Sequence, residues 1–147
     1  MADGDTTPEF APLSAELLAN MEAQRLYVAT LIRDRLPEEV VIRAADDLAV
    51  LQAIVDARLV SADEGWELQA LGLAFGDLLS QGIDGLAWTQ VTDSYGTDPT
   101  LRYRQTTLML NALTMISKRV EDGEEVDLRH IFLSLKEFVE TKGRDYR

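Results

Sequence analysis

The spacing of apolar residues changes at Gly85, and this change constrains the fold more than any other feature of the sequence. Before it, Leu68, Leu71 and Phe75 recur at steps of three and four, the period of a helix with one apolar face. After it, residues 86–92 combine aromatic and β-branched side chains in the pattern of a strand. A chain that carries both periods in separate segments is typical of an α+β layer structure. We predict about five helices packed around a small antiparallel β-sheet of about three strands.

Capping residues, glycines and prolines indicate the element boundaries. Ser14 can cap the first helix, which ends at Leu36 because a residue before proline disfavours the helical conformation. Ser61 and Glu64 have the spacing of a capping box for the third helix, and Gly82 is expected to end it in the left-handed conformation. The predicted helices span about 15–36, 37–58, 61–82, 111–122 and 127–143, and the predicted strands about 86–92, 101–104 and 106–110. Residues 40–42 could instead form a strand inside the second helical segment.

The N-terminal end differs from the rest of the chain. Residues 1–13 are rich in Asp, Thr, Pro and Gly and show no periodicity, so they are expected to form a disordered acidic tail. Residues 14–147 are then expected to form a single α+β domain, a size at which one hydrophobic core is sufficient.

Two glycines lie one turn apart inside the third predicted helix. Gly72 and Gly76 each cost about 1 kcal/mol there relative to alanine. That cost favours close packing against the helix backbone at this point. The first interpretation is packing by another element of the same fold; the alternatives are a partner, a ligand or a second copy of the chain.

Charge is the most distinctive bulk property. The chain has a formal net charge of −12, and residues 1–99 carry 18 acidic against 5 basic residues, while residues 100–147 carry 8 and 9. Nucleic-acid affinity depends on neutralising phosphates with Lys and Arg, so nucleic acid is not expected as a partner. Anionic membrane surfaces are not expected either. Much of this acidity can serve solubility alone.

Targeting signals and cysteines indicate the compartment. The chain lacks the basic and apolar blocks of a signal peptide, and no apolar run approaches the ~18 residues of a membrane helix. There are no cysteines, which fits a reducing compartment. We expect a cytoplasmic protein.

Several sequence blocks, in order, resemble a known family. The blocks are 68–76, Trp88, Asp93–Gly96, Leu101–Tyr103, Ile116–Arg119 and Gly123–Asp127. Over roughly residues 40–135 they resemble the bacterial domain-of-unknown-function family numbered 3806. The resemblance implies a small bacterial α+β domain with no established activity, and it supplies no catalytic residue.

Residues for catalysis are scarce. The sole histidine is His130, and no serine lies in the Gly-x-Ser-x-Gly setting of a nucleophile elbow. One histidine without cysteine argues against a transition-metal site, and the turn between Asp93 and Asp98 lacks the ligand pattern of a calcium loop. We therefore predict no catalytic, cofactor or metal site, and we do not expect an enzyme.

One basic group stands out in the acidic chain. Arg102 and Arg104 occupy alternate positions of a predicted strand, which would direct both to one face. Lys118 and Arg119 end the next predicted helix, where the helix dipole alone would favour them. Tyr95, in an exposed turn, is a further candidate contact because tyrosine is enriched at interface hot spots.

These features lead to two hypotheses. The first is a non-catalytic binding module that recognises a protein partner through Arg102, Arg104, Lys118, Arg119 and Tyr95; the acidic body suits a basic partner, such as a basic toxin. The alternative is a sensor or weak enzyme for a small anionic metabolite, with a basic site around Arg102, Lys118 and Arg119. The oligomeric state is not predicted, although a structural subunit that packs through Gly72 and Gly76 would be a third possibility.

Overall fold

Helices and a single antiparallel sheet form the chain, as the sequence predicts. The computed structural model describes residues 7–146, and within that range it contains six α-helices and four strands. The strands are β1 (Glu9–Ala11), β2 (Leu86–Asp93), β3 (Gly96–Tyr103) and β4 (Met109–Leu110). The helices are α1 (Ala15–Arg35), α2 (Glu38–Arg43), α3 (Asp47–Asp56), α4 (Gly65–Gly82), α5 (Met115–Glu121) and α6 (Leu128–Lys142).

The sheet is built around one long hairpin. Strands β2 and β3 pair over their full length, from Leu86 opposite Tyr103 to Asp93 opposite Gly96. The strand order is β1-β2-β3-β4. Strand β1 pairs with the half of β2 next to the hairpin turn, and β4 pairs with the half of β3 that is far from this turn. Helices cover one face of the hairpin. Leu86 and Leu101 are buried on this face, and the Trp88 ring lies against Gly76 of α4.

The N-terminal segment corrects the sequence-based prediction of a disordered tail over residues 1–13. Residues 1–6 lie outside the described range, but Glu9–Ala11 form an edge strand whose Phe10 is opposite Val91. The Thr89 hydroxyl donates to the Ala11 carbonyl at 2.9 Å, and the Phe10 ring packs against the guanidinium of Arg102. These are long-range contacts, which local periodicity does not reveal.

Helix starts also differ in detail from the prediction. The helix expected over 37–58 is two helices, and Asp46 caps the second of them by accepting from the Ala49 amide at 2.9 Å. Ser61 and Glu64 form a turn that precedes α4, which starts only at Gly65. In this turn the Glu64 carboxylate accepts from the Ser61 amide at 2.9 Å.

The region after β3 departs from the predicted third strand. Tyr103 ends β3, and Arg104 takes a left-handed conformation with φ of 51°. Thr106 then closes a turn by donating from its hydroxyl to the Tyr103 carbonyl at 2.6 Å, so that β4 keeps only Met109 and Leu110 of the predicted 106–110. Gly82 is the last residue of α4, as predicted, but the left-handed conformation expected there is taken by Gly85, with φ of 91°.

Close packing at the α4 glycines confirms the first interpretation of that pair. A Cβ atom on Gly72 would lie 2.5 Å from the Leu113 carbonyl oxygen, in a short 3₁₀ turn that precedes α5. A Cβ on Gly76 would lie 2.5 Å from the Trp88 ring. Both glycines are buried beneath other elements of the same chain, so this helix face is not available for a second copy.

We expect Gly72→Ala to lower the free energy of unfolding by about 1–3 kcal/mol, because the new methyl group would meet a backbone carbonyl that cannot turn away. Urea unfolding followed by circular dichroism measures the change. Gly65→Ala is the matched control: nothing lies within 4 Å of its Cβ position, so it should be neutral or stabilising by up to about 1 kcal/mol. Equal effects at the two positions would contradict the packing.

Candidate functional site

Arg102, the first predicted binding residue, is held in place by the fold. Its guanidinium carbon lies 3.7 Å from the centroid of the Phe10 ring, and its Nε donates to the Thr106 carbonyl at 2.7 Å. Since Phe10 is on β1 and Arg102 on β3, the side chain crosses β2 and covers one face of the sheet. Arg102 therefore ties the edge strand to the hairpin.

The other predicted binding residues do not contact Arg102. Arg104 reaches Asp84 at 3.5 Å, and Arg119 donates to the Met115 carbonyl of its own helix at 2.9 Å. Lys118 is exposed, and Tyr95, at the tip of the hairpin, is 93% exposed. Over residues 7–146, no hydrogen bond or ring contact joins any two of these five side chains.

A groove elsewhere on the molecule brings together three separate segments. It has a volume of about 940 Å³ and lies between α3, the segment Arg58–Ala62 and the end of α5 with the loop that follows. Its floor consists of apolar side chains from all three segments and from α4, most of which are buried core residues with only a small exposed fraction. The floor residues include Leu48, Ile54, Val60, Leu71, Val120 and Val126.

Carboxylates dominate the rim of this groove. Asp56 ends α3, while Glu124, Glu125 and Asp127 lie on the loop between α5 and α6, hereafter the acidic loop (Gly123–Asp127). The basic rim residues are Arg58 and Arg129. Arg129 is already paired, because its Nη2 donates to both Asp46 oxygens at 2.9 and 3.0 Å. The rim therefore has an excess of negative charge.

Gln52 on α3 connects the two walls of the groove. Its Nε2 donates to Asp56 Oδ1 at 2.8 Å and to the Val126 carbonyl at 2.9 Å. Its Oε1 accepts from the Leu128 amide at 2.8 Å. One side chain thus bonds both to α3 and to the chain on either side of Asp127.

Asp46 stabilises the N-terminal end of α3. The Ala49 amide and the Arg129 guanidinium hold the pKa of the Asp46 carboxyl below its ordinary value of 3.8, because both stabilise the charged form. The carboxylate is a helix cap and an ion-pair partner at once, so it links α3 to the start of α6.

The groove lacks the arrangement of a nucleophilic enzyme among its described residues. The Ser61 hydroxyl bonds to the Asp63 and Glu64 carboxylates at 2.6 and 2.9 Å, and exposed His130 lies in the first turn of α6, its amide capped by Asp127. Within residues 7–146, no group of three or more His, Cys, Asp or Glu side chains is arranged to hold a metal ion. No described helix has the length and apolarity to cross a membrane.

The groove was not predicted from the sequence. Glu124 and Glu125 belong to one of the sequence blocks that resemble the family, but that resemblance assigns them no role. The walls are 74 residues apart at the Gln52–Val126 bond, and no periodic pattern reports a pairing at that separation.

If Arg102 holds the edge strand, Arg102→Ala should lower the free energy of unfolding by about 1–2 kcal/mol through loss of the Phe10 contact and the Thr106 hydrogen bond. Amide exchange at Phe10 should accelerate as well. Arg104→Ala is the control; its ion pair is long and exposed, so the change should stay within about 0.5 kcal/mol. Equal small effects would contradict the structural role of Arg102.

The lowered pKa of Asp46 predicts a pH-dependent contribution to stability. Because the folded pKa lies below the unfolded one, the contribution is present above about pH 5 and is lost as pH falls through the folded pKa. Asp46→Asn, which keeps a cap oxygen but removes the charge, should destabilise at pH 7, and its difference from wild type should shrink as pH falls through the folded pKa. Urea unfolding across this range measures it, and a difference independent of pH would contradict the charged interaction.

A solved structure shares this fold. It is a protein from Bacteroides thetaiotaomicron VPI-5482 with 17% sequence identity and a TM-score of 0.74, and the match covers 92% of this chain and 50% of that one. This chain thus spans about half the length of that protein, and at such identity the likeness concerns the fold alone. The curated proteins contain no match to the chain.

The residues that line the groove lie in the part of the chain that matches a family model. A family model described as a domain of unknown function matches residues 47–132, and the groove residues all fall within it, from Leu48 to Arg129. The match lies inside the range of roughly 40–135 from the sequence resemblance, which is thereby confirmed. Because the match covers more than half of the sequence, the chain belongs to the family described as Domain of unknown function (DUF3806).

Proposed function

We propose that this chain is a cytoplasmic, non-catalytic binding module that recognises a protein partner, and that a basic amphipathic segment of the partner lies in the groove. The observation that carries the proposal is the combination of an apolar floor with a carboxylate-rich rim. Interfaces commonly have this anatomy, with apolar contacts at the centre and polar groups around them. The position of the groove inside the family segment supports the same site.

Charge supports a basic partner. The chain carries a net charge of −12, and on the groove rim four carboxylates face two guanidiniums, one of which is neutralised by Asp46. Such a field attracts cationic segments during encounter and repels anionic ones. Apolar side chains of the segment would contact the floor, and its lysines or arginines would reach Asp56, Glu124, Glu125 and Asp127.

The alternative, an anionic metabolite bound around Arg102, Lys118 and Arg119, has weaker support. Arg102 is occupied by Phe10 and Thr106, and Arg119 by its own helix. The surface first considered for the protein partner, around Arg102 and Arg104, loses support for the same reason. Tyr95 is still exposed and could contact a large partner outside the groove.

A defined peptide tests the proposal. We expect a short lysine–leucine peptide to bind the wild-type chain in isothermal titration calorimetry, and a glutamate–leucine peptide with the same leucines not to bind. The double variant Glu124→Lys and Glu125→Lys should weaken binding about tenfold or more, because it replaces two attractions by two repulsions at the rim.

The matched control reverses two other consecutive glutamates. Glu38→Lys with Glu39→Lys makes the same change in net charge, but both residues lie at the start of α2 and do not line the groove. This variant should bind the peptide within about twofold of the wild type if the groove is the site. Equal loss in both variants would indicate attraction by net charge alone and would overturn the groove as the binding site.

A further inference from the structure

We infer that Gln52 is the positioning residue of the groove: it holds the acidic loop against α3 and so sets where the loop carboxylates meet a bound segment. The inference rests on the proposed function for the role of the groove. It concerns a different property, however, because the position of the loop can be measured without any ligand.

The acidic loop is attached differently on its two sides. Toward α5 it is held by backbone bonds, from the Gly123 amide to the Val120 carbonyl at 3.1 Å and from the Glu124 amide to the Arg119 carbonyl at 2.8 Å. Toward α3, the Val126 carbonyl of the loop accepts from Gln52 Nε2, and the Leu128 amide that follows the loop donates to Gln52 Oε1. Gly123, with φ of 72°, is the point where the chain leaves α5 and turns into the loop.

The chemistry of this tether requires a primary amide. The two Nε2 hydrogens go to Asp56 Oδ1 and the Val126 carbonyl, while Oε1 accepts from the Leu128 amide. A glutamate would keep the acceptor but lose both donors and face the Asp56 carboxylate. A leucine of similar size would lose all three bonds.

Gln52 also fixes the relation between the carboxylates of the two walls. It bonds directly to Asp56 on one wall, and on the other wall it bonds to the residues on either side of Asp127. Val126 is buried, so the loop has an apolar anchor, but a buried methyl group does not fix the direction of the neighbouring glutamates. The hydrogen bonds supply that direction.

The first measurement is amide exchange in the full chain without peptide. In Gln52→Leu, exchange of the amides between Gly123 and Leu128 should accelerate roughly tenfold, while the amides of α4 keep their protection. Gln81→Leu is the control, an exposed glutamine on α4 without a side-chain hydrogen bond in the described range. Unchanged exchange in the loop of Gln52→Leu would overturn the inference.

The second measurement separates positioning from simple stability. Lysine–leucine peptide affinity is measured in a double-mutant cycle that combines Gln52→Leu with the reversal of Glu124 and Glu125. Gln52→Leu should weaken binding about three- to tenfold, and the reversal should then cost at most about half of its wild-type effect in free energy. The salt dependence of binding should also become shallower.

The outcomes of the cycle distinguish the two proposals. If the reversal costs the same with and without Gln52, the side chain does not position the loop carboxylates and the inference fails, although the proposed function stands. If the peptide does not bind the wild-type chain, the proposed function fails; the positioning of the carboxylates for a ligand fails with it, and the exchange experiment then reports a structural tether only.

Discussion

The close approach of other elements to the backbone of α4 is the constraint on which the rest of the structure depends. At Gly72 and Gly76 there is no room for a Cβ atom, because the Leu113 carbonyl and the Trp88 ring occupy that space. The 3₁₀ turn and β2 therefore lie at fixed distances from the helix axis. Since β2 is the strand that pairs with both β1 and β3, the position of the whole sheet follows from this contact.

A second interaction on the same helix orients the contact. Asp77 accepts two hydrogen bonds from Arg25 at 2.9 Å each, and Trp88 Nε1 donates to the same carboxylate at 2.9 Å. One carboxylate thus joins α1, α4 and β2, and the bidentate geometry permits little rotation. The other end of α4 contributes Leu68 and Leu71 to the groove, so the helix that aligns the sheet also forms part of the floor of the proposed binding site.

Local patterns predicted those elements whose residues bury one face, and missed those that depend on distant partners. The periods of α4, α6 and β2 are visible because each presents an apolar stripe to the core. Strand β1 was missed because three residues are too few to show a period. Its Phe10 packs against Arg102, which is far away in sequence. Arg104 was wrongly predicted to continue the strand. It takes a left-handed conformation directly after β3 ends, and an arginine at such a position cannot be recognised from the sequence. The groove was missed because its walls meet only in the folded chain.

Asp127 caps α6 and Asp56 accepts a hydrogen bond from Gln52, so these two rim carboxylates contribute to the fold. Glu124 and Glu125 are the informative pair, because neither side chain makes a hydrogen bond or an ion pair within residues 7–146. Like charges on neighbouring segments repel, and the acidic loop is held in spite of this by an apolar anchor and by the neutral Gln52 side chain. An ion pair between the walls would have tethered the loop and lowered the repulsion together, as the pair of Asp46 and Arg129 does at the other end of α3. A tether made by an amide leaves Glu124 and Glu125 uncompensated. Local choices that oppose stability are characteristic of functional sites, and this one leaves negative charge available to a cationic ligand.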